Sequence, residues 1–444
     1  MAPLEELAAF VSQGVRGGVN KPLRAELELH VVDTLGAWVA TAGTQEARAL
    51  RRFQSDNKRT PTDPALDILI NCALTRLSEV DDIHLASMIT PGSIVIPGAL
   101  TIAATLGSDP AAVREAIVAG YEAMIRLGLA LDGPTILYRG IWPSYLAAPF
   151  GIAAAAARLF DLSADQTAHA LALALTLAAP GVGHHNAPTG SRWFAIGGAA
   201  RNGLLAARAA RAGLTSDVNI LDGGFFGSVF GIIPKPAALI ENLGASPKLQ
   251  EVSFKPWCAA RQTMAAAQAL HEIIDSDVVA ADITAIEVSV PPPFLKMVDH
   301  GIVGGRIARL TSQPYQMAIA AVARDLAYDV GQMGDVPADV LQLMNKITVR
   351  PNEDLLDGFP RQWAAGLHVR TTNSEHQRLI RNIPGDPERP FDESAIKTKA
   401  FRLIGSTTKN LVGQCRSMFE GRTTPEQLID FVDSSCAAAG GDAR

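Results

Sequence analysis

Cysteine, aromatic residues and charged residues are all scarce in this chain of 444 residues. Its four cysteines are widely spaced and form no C-x-x-C pair, which argues against a zinc ribbon or a disulfide framework and favours reduced thiols. Charged residues make up 19% of the chain, and the net charge of -6 includes no concentrated basic block. We therefore expect no nucleic acid as a partner, because phosphate binding relies on such a block.

Signals for secretion and for membrane insertion are also weak. The first residues, "MAPLEELAAFVSQ", include two glutamates and lack the basic region and apolar core of a signal peptide. The one stretch that resembles a membrane span, residues 144–160, is interrupted by Pro149 and bounded by Arg158 and Asp161. This arrangement favours a buried helix over a span. The sequence thus predicts a cytoplasmic protein with no membrane partner.

Alanine, by contrast, is abundant, and apolar residues make up 48% of the chain. Together with the shortage of aromatic residues, this composition is typical of closely packed helices. Apolar residues recur at helical spacing within residues 22–41; they are Leu23, Leu27, Val31, Val32 and Leu35. Asp109 before Pro110 predicts one helix start, and Ser163 with Gln166 predicts another through a capping box.

Beyond about residue 270 the period of the sequence changes. Apolar and polar residues alternate in residues 283–290, 346–350 and 366–372, which predicts short strands, and a helix is predicted at 314–329. The chain is also long enough to favour two domains. We predict a mainly α protein with two parts: an all-helical bundle domain, residues 1–265 with 401–444, and a smaller α+β domain with a short antiparallel sheet, residues 266–400.

A dense group of ionisable residues occurs at residues 79–84, "EVDDIH", which we call the acidic segment. If this segment is helical, Glu79 and Asp82 share one face. The group could bind a metal together with His184 or His185, could move a proton, or could cap a helix. Its spacing matches no known metal signature, so a metal site is a less favoured interpretation.

Isolated basic residues occur in otherwise apolar segments. Arg192 lies in "TGSRWFAIGG", and Lys255 and Arg261 lie in "SFKPWCAARQT". A cation in such surroundings is costly unless it is paired. A substrate carboxylate would satisfy it, in bidentate fashion for arginine, and an internal ion pair is an equally acceptable alternative. A buried Lys255 with a lowered pKa could instead act as a base.

Taken in order, several segments resemble those of the MmgE/PrpD family. They are "DTLG", "EVDDIH", "RGIWPS", "GSRWFAIGGAARNG", "LDGGFFGSVFG", "KPWCAAR" and "SQPYQMAIA". That family includes 2-methylcitrate dehydratase, cis-aconitate decarboxylase and iminodisuccinate epimerase. The resemblance implies a large helical bundle, a smaller α+β domain, a homodimer, and an active site that takes a small polycarboxylate and needs no cofactor.

Some positions depart from the family's motifs. Where the family has histidines this sequence has Thr90, Trp142 and Ala195, and Arg192 replaces a lysine, while Lys255 matches a second lysine. Imidazoles exchange protons near neutral pH, whereas a guanidinium is a permanent cation. The resemblance therefore implies a site that keeps cations for carboxylates but lacks the acids that dehydration or decarboxylation would use.

Among the family's activities, epimerisation of iminodisuccinate fits these departures best, because it needs two bases and cations that stabilise the intermediate charge. The residues expected to move protons are Tyr145, His84 and Lys255, with Asp81 or Asp82 orienting His84. Those expected to hold the substrate are Arg192, Arg261, Glu79 and Thr90. The main alternative is a dehydratase or decarboxylase of a tricarboxylate. A polycarboxylate-binding protein without catalysis and a metal-dependent hydrolase are further alternatives.

Overall fold

The computed structural model describes residues 1–14, 18–58, 63–179, 181, 189–222, 224–276, 278–332 and 334–441. The chain forms two compact units. Within the described residues, the first unit comprises Met1–Gly183, Gly190–Val252 and Asp392–Arg444, and the second is built mainly from Ser253–Phe391. The boundaries predicted at 265 and 400 both fall inside helices. The strand-like alternation on which the first boundary was based begins well after the second unit has started.

The protein is mainly α-helical. In chain order the helices are α1 Pro3–Gln13, α2 Lys21–Ala40, α3 Gln45–Asn57, α4 Ala65–Leu77, α5 Gly92–Leu106, α6 Pro110–Ala130, α7 Gly133–Leu137, α8 Pro143–Leu159, α9 Ala164–Thr176, α10 Ser191–Arg211, α11 Gly224–Phe230, α12 Arg261–Ile274, α13 Leu295–Val298, α14 Arg306–Thr311, α15 Gln313–Val322, α16 Ala338–Met344, α17 Glu393–Ile404, α18 Thr407–Phe419 and α19 Pro425–Gly441. Helices α1–α11 and α17–α19 belong to the first unit.

Local sequence signals account for several of these helices. The Asp109 side chain accepts hydrogen bonds from two backbone N–H groups at the start of α6, and Ser163 and Gln166 form a capping box at the start of α9. The apolar face predicted for α2 is buried throughout. These predictions from caps and periodicity are confirmed, since both depend only on neighbours along the chain.

Close backbone contacts hold the centre of the first unit together. In α10, a Cβ on Gly197 would lie 2.1 Å from the Leu69 carbonyl oxygen of α4, and one on Gly203 would lie 2.3 Å from the Pro149 carbonyl oxygen of α8. Glycine is therefore required where α10 crosses both helices. Helix α8, which contains most of residues 144–160, is buried along nearly its whole length.

In the described part of the chain, no helix has both the length and the hydrophobicity that a membrane crossing requires.

The second unit contains a mixed sheet. Its strands are β1 Ile283–Val290, β2 Ile347–Pro351, β3 Ala365–Thr371 and β4 Glu375–Ile380, in the spatial order β2-β1-β3-β4. β1 is antiparallel to β3 but parallel to β2, with Val288 opposite both Leu367 and Val349. The predicted sheet was wholly antiparallel. The parallel pair arises because α13–α16 connect β1 to β2 as a crossover.

Strand β4 was not predicted from the sequence. Its sequence, "EHQRLI", is mostly polar, it lies at the edge of the sheet, and only Ile380 is buried. An edge strand that faces solvent has little apolar alternation by which to detect it. The smaller α+β part and the mainly α class are nevertheless confirmed.

Adjacent glycines of α10 give a direct test of the close crossing. Gly197→Ala should lower the free energy of unfolding by about 1–3 kcal/mol, because the new methyl group overlaps the α4 backbone. Gly198→Ala meets no atom within 4 Å and should raise it by up to about 1 kcal/mol through helix propensity. Urea denaturation of both variants measures the difference, and equal midpoints would contradict this account of the crossing.

Candidate active site

The acidic segment lies between α4 and α5 and is not helical. Glu79 has a positive φ of 55°, and the backbone of His84 pairs with Ile89 in an isolated bridge. The prediction that Glu79 and Asp82 share a helical face is therefore wrong. All four ionisable side chains are nonetheless buried, with exposures between 0% and 8%, so each needs a partner inside the protein.

Asp82 accepts hydrogen bonds from three helices. Its Oδ2 lies 2.8 Å from Nδ1 of His30 in α2 and accepts a 2.7 Å hydrogen bond from the Tyr121 hydroxyl in α6. Its Oδ1 accepts a 2.7 Å bond from the backbone N–H of Gly92 at the start of α5, where the helix dipole favours a negative charge. Burial, and then the charge of Asp82, raise the pKa of Tyr121 well above its ordinary value. Asp82 thus caps a helix and also joins a buried polar group.

Lys399 of α17 brings a cation to the same region. Its Nζ lies 2.6 Å from Oδ1 of Asp33 in α2 and donates a 3.0 Å hydrogen bond to the Val80 carbonyl oxygen. Both charged side chains are almost fully buried. Burial raises the pKa of Asp33, and Lys399 opposes that rise. Lys399 therefore compensates a buried carboxylate and also holds the backbone of the acidic segment.

Glu79 and Asp81 share one arginine of α4. Nη1 of Arg76 lies 2.8 Å from Glu79 Oε2 and 3.2 Å from Asp81 Oδ1. Although burial opposes its charge, Asp81 and Glu79 raise the pKa of Arg76. The Ser93 hydroxyl donates a 2.7 Å hydrogen bond to the second oxygen of Asp81. Much of the negative charge of the acidic segment is thus taken up by an internal ion pair.

His84 has different partners from those expected. Its Nδ1 accepts from the backbone N–H of Ser87 over 3.2 Å, which leaves Nε2 to donate toward Oε2 of Glu251 over 3.3 Å. Burial lowers the pKa of His84, against the opposing effect of Glu251. The hydrogen bond from His84, with the Lys248 ammonium, lowers the pKa of Glu251 to about 2. The prediction that Asp81 or Asp82 orients His84 is corrected, because both acids point to other helices.

Arg192, near the start of α10, is the basic residue whose surroundings are most unusual. Its Cζ lies 4.8 Å from the ring centroid of Trp142 and 5.2 Å from that of Trp193. The residue is 6% exposed. Among the residues the structure describes, no carboxylate pairs with this guanidinium, and its Nε has no hydrogen-bond partner. Two indole rings therefore hold a buried cation whose charge the described residues leave uncompensated.

Tyr145 of α8 lies in the electrostatic field of two guanidinium groups. Burial raises its pKa, while Arg192 and then Arg76 act in the opposite direction. Its ring also contacts the edge of Trp142, with 6.0 Å between the centroids. Arg192 also interacts with the Tyr145 hydroxyl as a side-chain hydrogen-bond donor, although no described residue meets that hydroxyl at regular hydrogen-bonding geometry. A buried, protonated phenol thus lies close to an uncompensated cation.

The other predicted residues are placed as follows. The Thr90 hydroxyl lies 3.1 Å from that of Ser144 at the start of α8, and Ser144 also accepts from the Thr90 N–H. Lys255 is buried in the second unit. Arg261 of the same unit donates to both oxygens of Asp386, over 2.8 and 2.7 Å, which matches the alternative of an internal ion pair.

His184 and His185, which we considered as metal ligands, lie outside the described residues. Within the ranges that are described, no three His, Cys, Asp or Glu side chains converge as a metal ion would require.

Two domains of one protein family match most of this chain. The MmgE/PrpD N-terminal domain matches residues 5–233, and the MmgE/PrpD C-terminal domain matches residues 257–414. The chain belongs to the MmgE/PrpD family. This family includes dehydratases and related enzymes, which supports an enzymatic function for the chain. No individual curated protein matches it.

Several residues around the acidic segment of this MmgE/PrpD protein were not identified from the sequence. They are His30, Asp33, Arg76, Tyr121 and Lys399. A signal for the first pair does exist: two ionisable residues one turn apart, at 30 and 33, interrupt an otherwise apolar stretch of α2. No such signal marks Lys399, which meets Val80 across 319 positions of sequence.

The lowered pKa of His84 predicts a dependence of stability on pH. In the unfolded chain His84 binds a proton below its ordinary pKa of about 6.5, whereas in the folded chain burial opposes that protonation. The contribution of His84 to the stability of the fold is therefore present above that pH and is lost below it. His84→Gln should therefore lose less stability than the wild type between about pH 7.5 and about pH 5.5 in urea denaturation.

Glu251→Gln is the matched comparison. It removes the carboxylate that opposes the effect of burial on His84, so its stability should fall at least as steeply with decreasing pH as that of the wild type. A wild-type slope in His84→Gln would show that another group is responsible.

Proposed function

We propose that this MmgE/PrpD protein is a cofactor-independent isomerase. It epimerises a small polycarboxylate resembling iminodisuccinate by removing an α-proton and returning one to the opposite face. The observation that carries the proposal is the buried Arg192 guanidinium, which has π contacts but no carboxylate partner among the described residues. Beside it lies the buried phenol of Tyr145, on which Arg192 acts and whose hydroxyl meets no described residue at regular hydrogen-bonding geometry.

Arg192 is suited to bind a substrate carboxylate. The indole rings of Trp142 and Trp193 lie close to its Cζ but offer no hydrogen-bond acceptor oxygen, so its N–H groups can serve a ligand. A carboxylate can accept two parallel hydrogen bonds from the edge of a guanidinium group. Arg76 is already paired with Glu79 and Asp81. Of these two arginines, Arg192 is therefore the one whose charge a substrate carboxylate would neutralise.

Tyr145 is suited to carry the proton on one face of the substrate. Its raised pKa keeps the phenol protonated near neutral pH, so it can deliver a proton to the carbanion formed at the α-carbon. Arg192 and Arg76 favour the phenolate that remains, which allows the reverse reaction. His84, which belongs to the same unit, is the candidate for the base on the other face, and Lys255 stays a prediction from the sequence.

Epimerisation also agrees with the residues that this chain lacks. An α-proton next to an imine and a carboxylate is acidic enough for a base to remove it without a leaving group, so no acid has to protonate one. The family's histidines are replaced here by Thr90, Trp142 and Ala195. The Thr90 hydroxyl lies at hydrogen-bond distance from that of Ser144, and the Trp142 ring lies close to Arg192, so neither position provides an acid for dehydration.

The reaction is tested by NMR in deuterated water. The protein, treated with EDTA, is incubated with iminodisuccinate and, in separate samples, with 2-methylcitrate and cis-aconitate. The proposal expects deuterium at the α-carbon of iminodisuccinate together with interconversion of its stereoisomers. Turnover of a tricarboxylate to an alkene or to carbon dioxide would assign a lyase activity instead. Absence of exchange in every sample would refute the proposed reaction.

Variants of the two central residues separate substrate binding from proton transfer. Tyr145→Phe should lower kcat about 10²–10⁴-fold with little change in KM. Arg192→Met should raise KM on the order of 10–100-fold, and Arg192→Lys should fall between this variant and the wild type because it keeps the charge but not the bidentate edge.

Arg208→Met is the control for the arginine variants. Arg208 lies in the same helix but pairs with Asp63 at the surface, so its kinetics should match the wild type. Equal KM values for Arg192→Met and Arg208→Met would contradict the assigned role of Arg192.

A further inference from the structure

The last part of the chain places a lysine against the candidate site. Lys399 of α17 contacts the Asp33 carboxylate and the Val80 carbonyl oxygen, over 2.6 and 3.0 Å. We propose that Lys399 is a positioning residue of the active site: it fixes the backbone of the acidic segment, and through Glu79 and Asp81 it determines the net charge that Arg76 presents to Tyr145. The inference rests on the proposed function, in which Tyr145 carries the proton.

The backbone of the acidic segment depends on contacts from outside itself. Glu79 has a φ of 55°, a conformation that residues other than glycine adopt at a cost. Val80, the next residue, is fully buried. Its N–H donates to the Ser78 hydroxyl over 3.3 Å, and its carbonyl oxygen accepts from Lys399. Lys399 therefore supplies a donor to a stretch of chain that is neither helix nor strand at this point.

Charge compensation gives Lys399 a second role. Asp33 experiences the negative charge of Asp82, which raises its pKa further, while Lys399 and His30 act in the opposite direction. Asp82 itself lies 2.8 Å from His30. Removing the ammonium group would leave the buried Asp33 carboxylate without this counter-ion while the charge of Asp82 still acts on it, so Asp33 would take up a proton or the neighbouring backbone would move.

Arg76 connects Lys399 to Tyr145. Val80, whose carbonyl oxygen Lys399 binds, lies in the sequence between Glu79 and Asp81, the two acids that pair with Nη1 of Arg76. The groups that act on the Tyr145 phenol are Arg192 of α10, Arg76 of α4 and Glu79 of the acidic segment. If Lys399 no longer holds Val80, Glu79 and Asp81 separate from Arg76. The uncompensated guanidinium then favours the phenolate, and Tyr145 becomes more acidic.

The experiment measures the acidity of Tyr145 directly. The full-length protein is labelled with 3-fluorotyrosine, whose five resonances are observed by fluorine NMR across a pH titration, and Tyr145→Phe assigns the relevant one. Lys399→Met should lower the midpoint of the Tyr145 titration by about one unit. Lys397→Met is the matched control, since Lys397 lies in the same helix and pairs with Glu393 at the surface; its midpoint should equal that of the wild type.

A double variant keeps the test decisive where Lys399→Met does not fold. Asp33→Asn with Lys399→Met removes both charges, so no carboxylate is left unpaired by the loss of the lysine, but the Val80 carbonyl oxygen still loses its donor. A lowered Tyr145 midpoint in the folded double variant supports the positioning role. A wild-type midpoint overturns it and leaves Lys399 only as the counter-ion of Asp33.

The titration requires no turnover and therefore separates the two proposals. If the wild type catalyses no α-proton exchange, the proposed function fails whatever the fluorine spectra show. If exchange occurs, the limb of its pH–rate profile that belongs to Tyr145 should move to lower pH in Lys399→Met and stay in place in Lys397→Met. A wild-type profile in both variants would overturn the positioning role.

Discussion

Buried negative charge is the constraint on which the rest of this structure depends. Four carboxylates of the first unit, on Asp33, Glu79, Asp81 and Asp82, are each at most 8% exposed. Ionised groups in such surroundings must be compensated or become neutral. The compensation comes from α2, α4, α5, α6 and α17; its donors are His30, Arg76, Gly92, Tyr121 and Lys399. A single loop thereby fixes the relative positions of helices that are far apart in sequence.

The same rule, applied to positive charge, indicates where a ligand belongs. Arg76 and Lys399 are neutralised by acids of the protein, whereas among the described residues Arg192 pairs with no carboxylate and lies close to the rings of Trp142 and Trp193. An anionic substrate would neutralise the charge of Arg192 as the acidic segment neutralises that of Arg76.

The sequence predicts this molecule where the cause is local. Asp109 and Ser163 cap helices because their partners are two or three residues away, and β1 follows from its alternation. The residue pattern marks the acidic segment as a candidate site but does not predict its conformation, since a positive φ at Glu79 leaves no trace in that pattern. Lys399 could not be found, because its role depends on how α17 packs against α2, and no spacing along the chain encodes that contact.

The glycine contacts of α10 have a consequence for how the site can change. At Gly197 and Gly203 this helix lies directly against the backbones of α4 and α8, so no compressible side chain separates them. Helix α10 therefore has little freedom to slide or rotate when a bulkier molecule enters. Ala195 lies one turn after Arg192 on the same helix. New substrate preferences in such a protein are expected to arise by exchanging side chains on a stationary helix rather than by moving the helix.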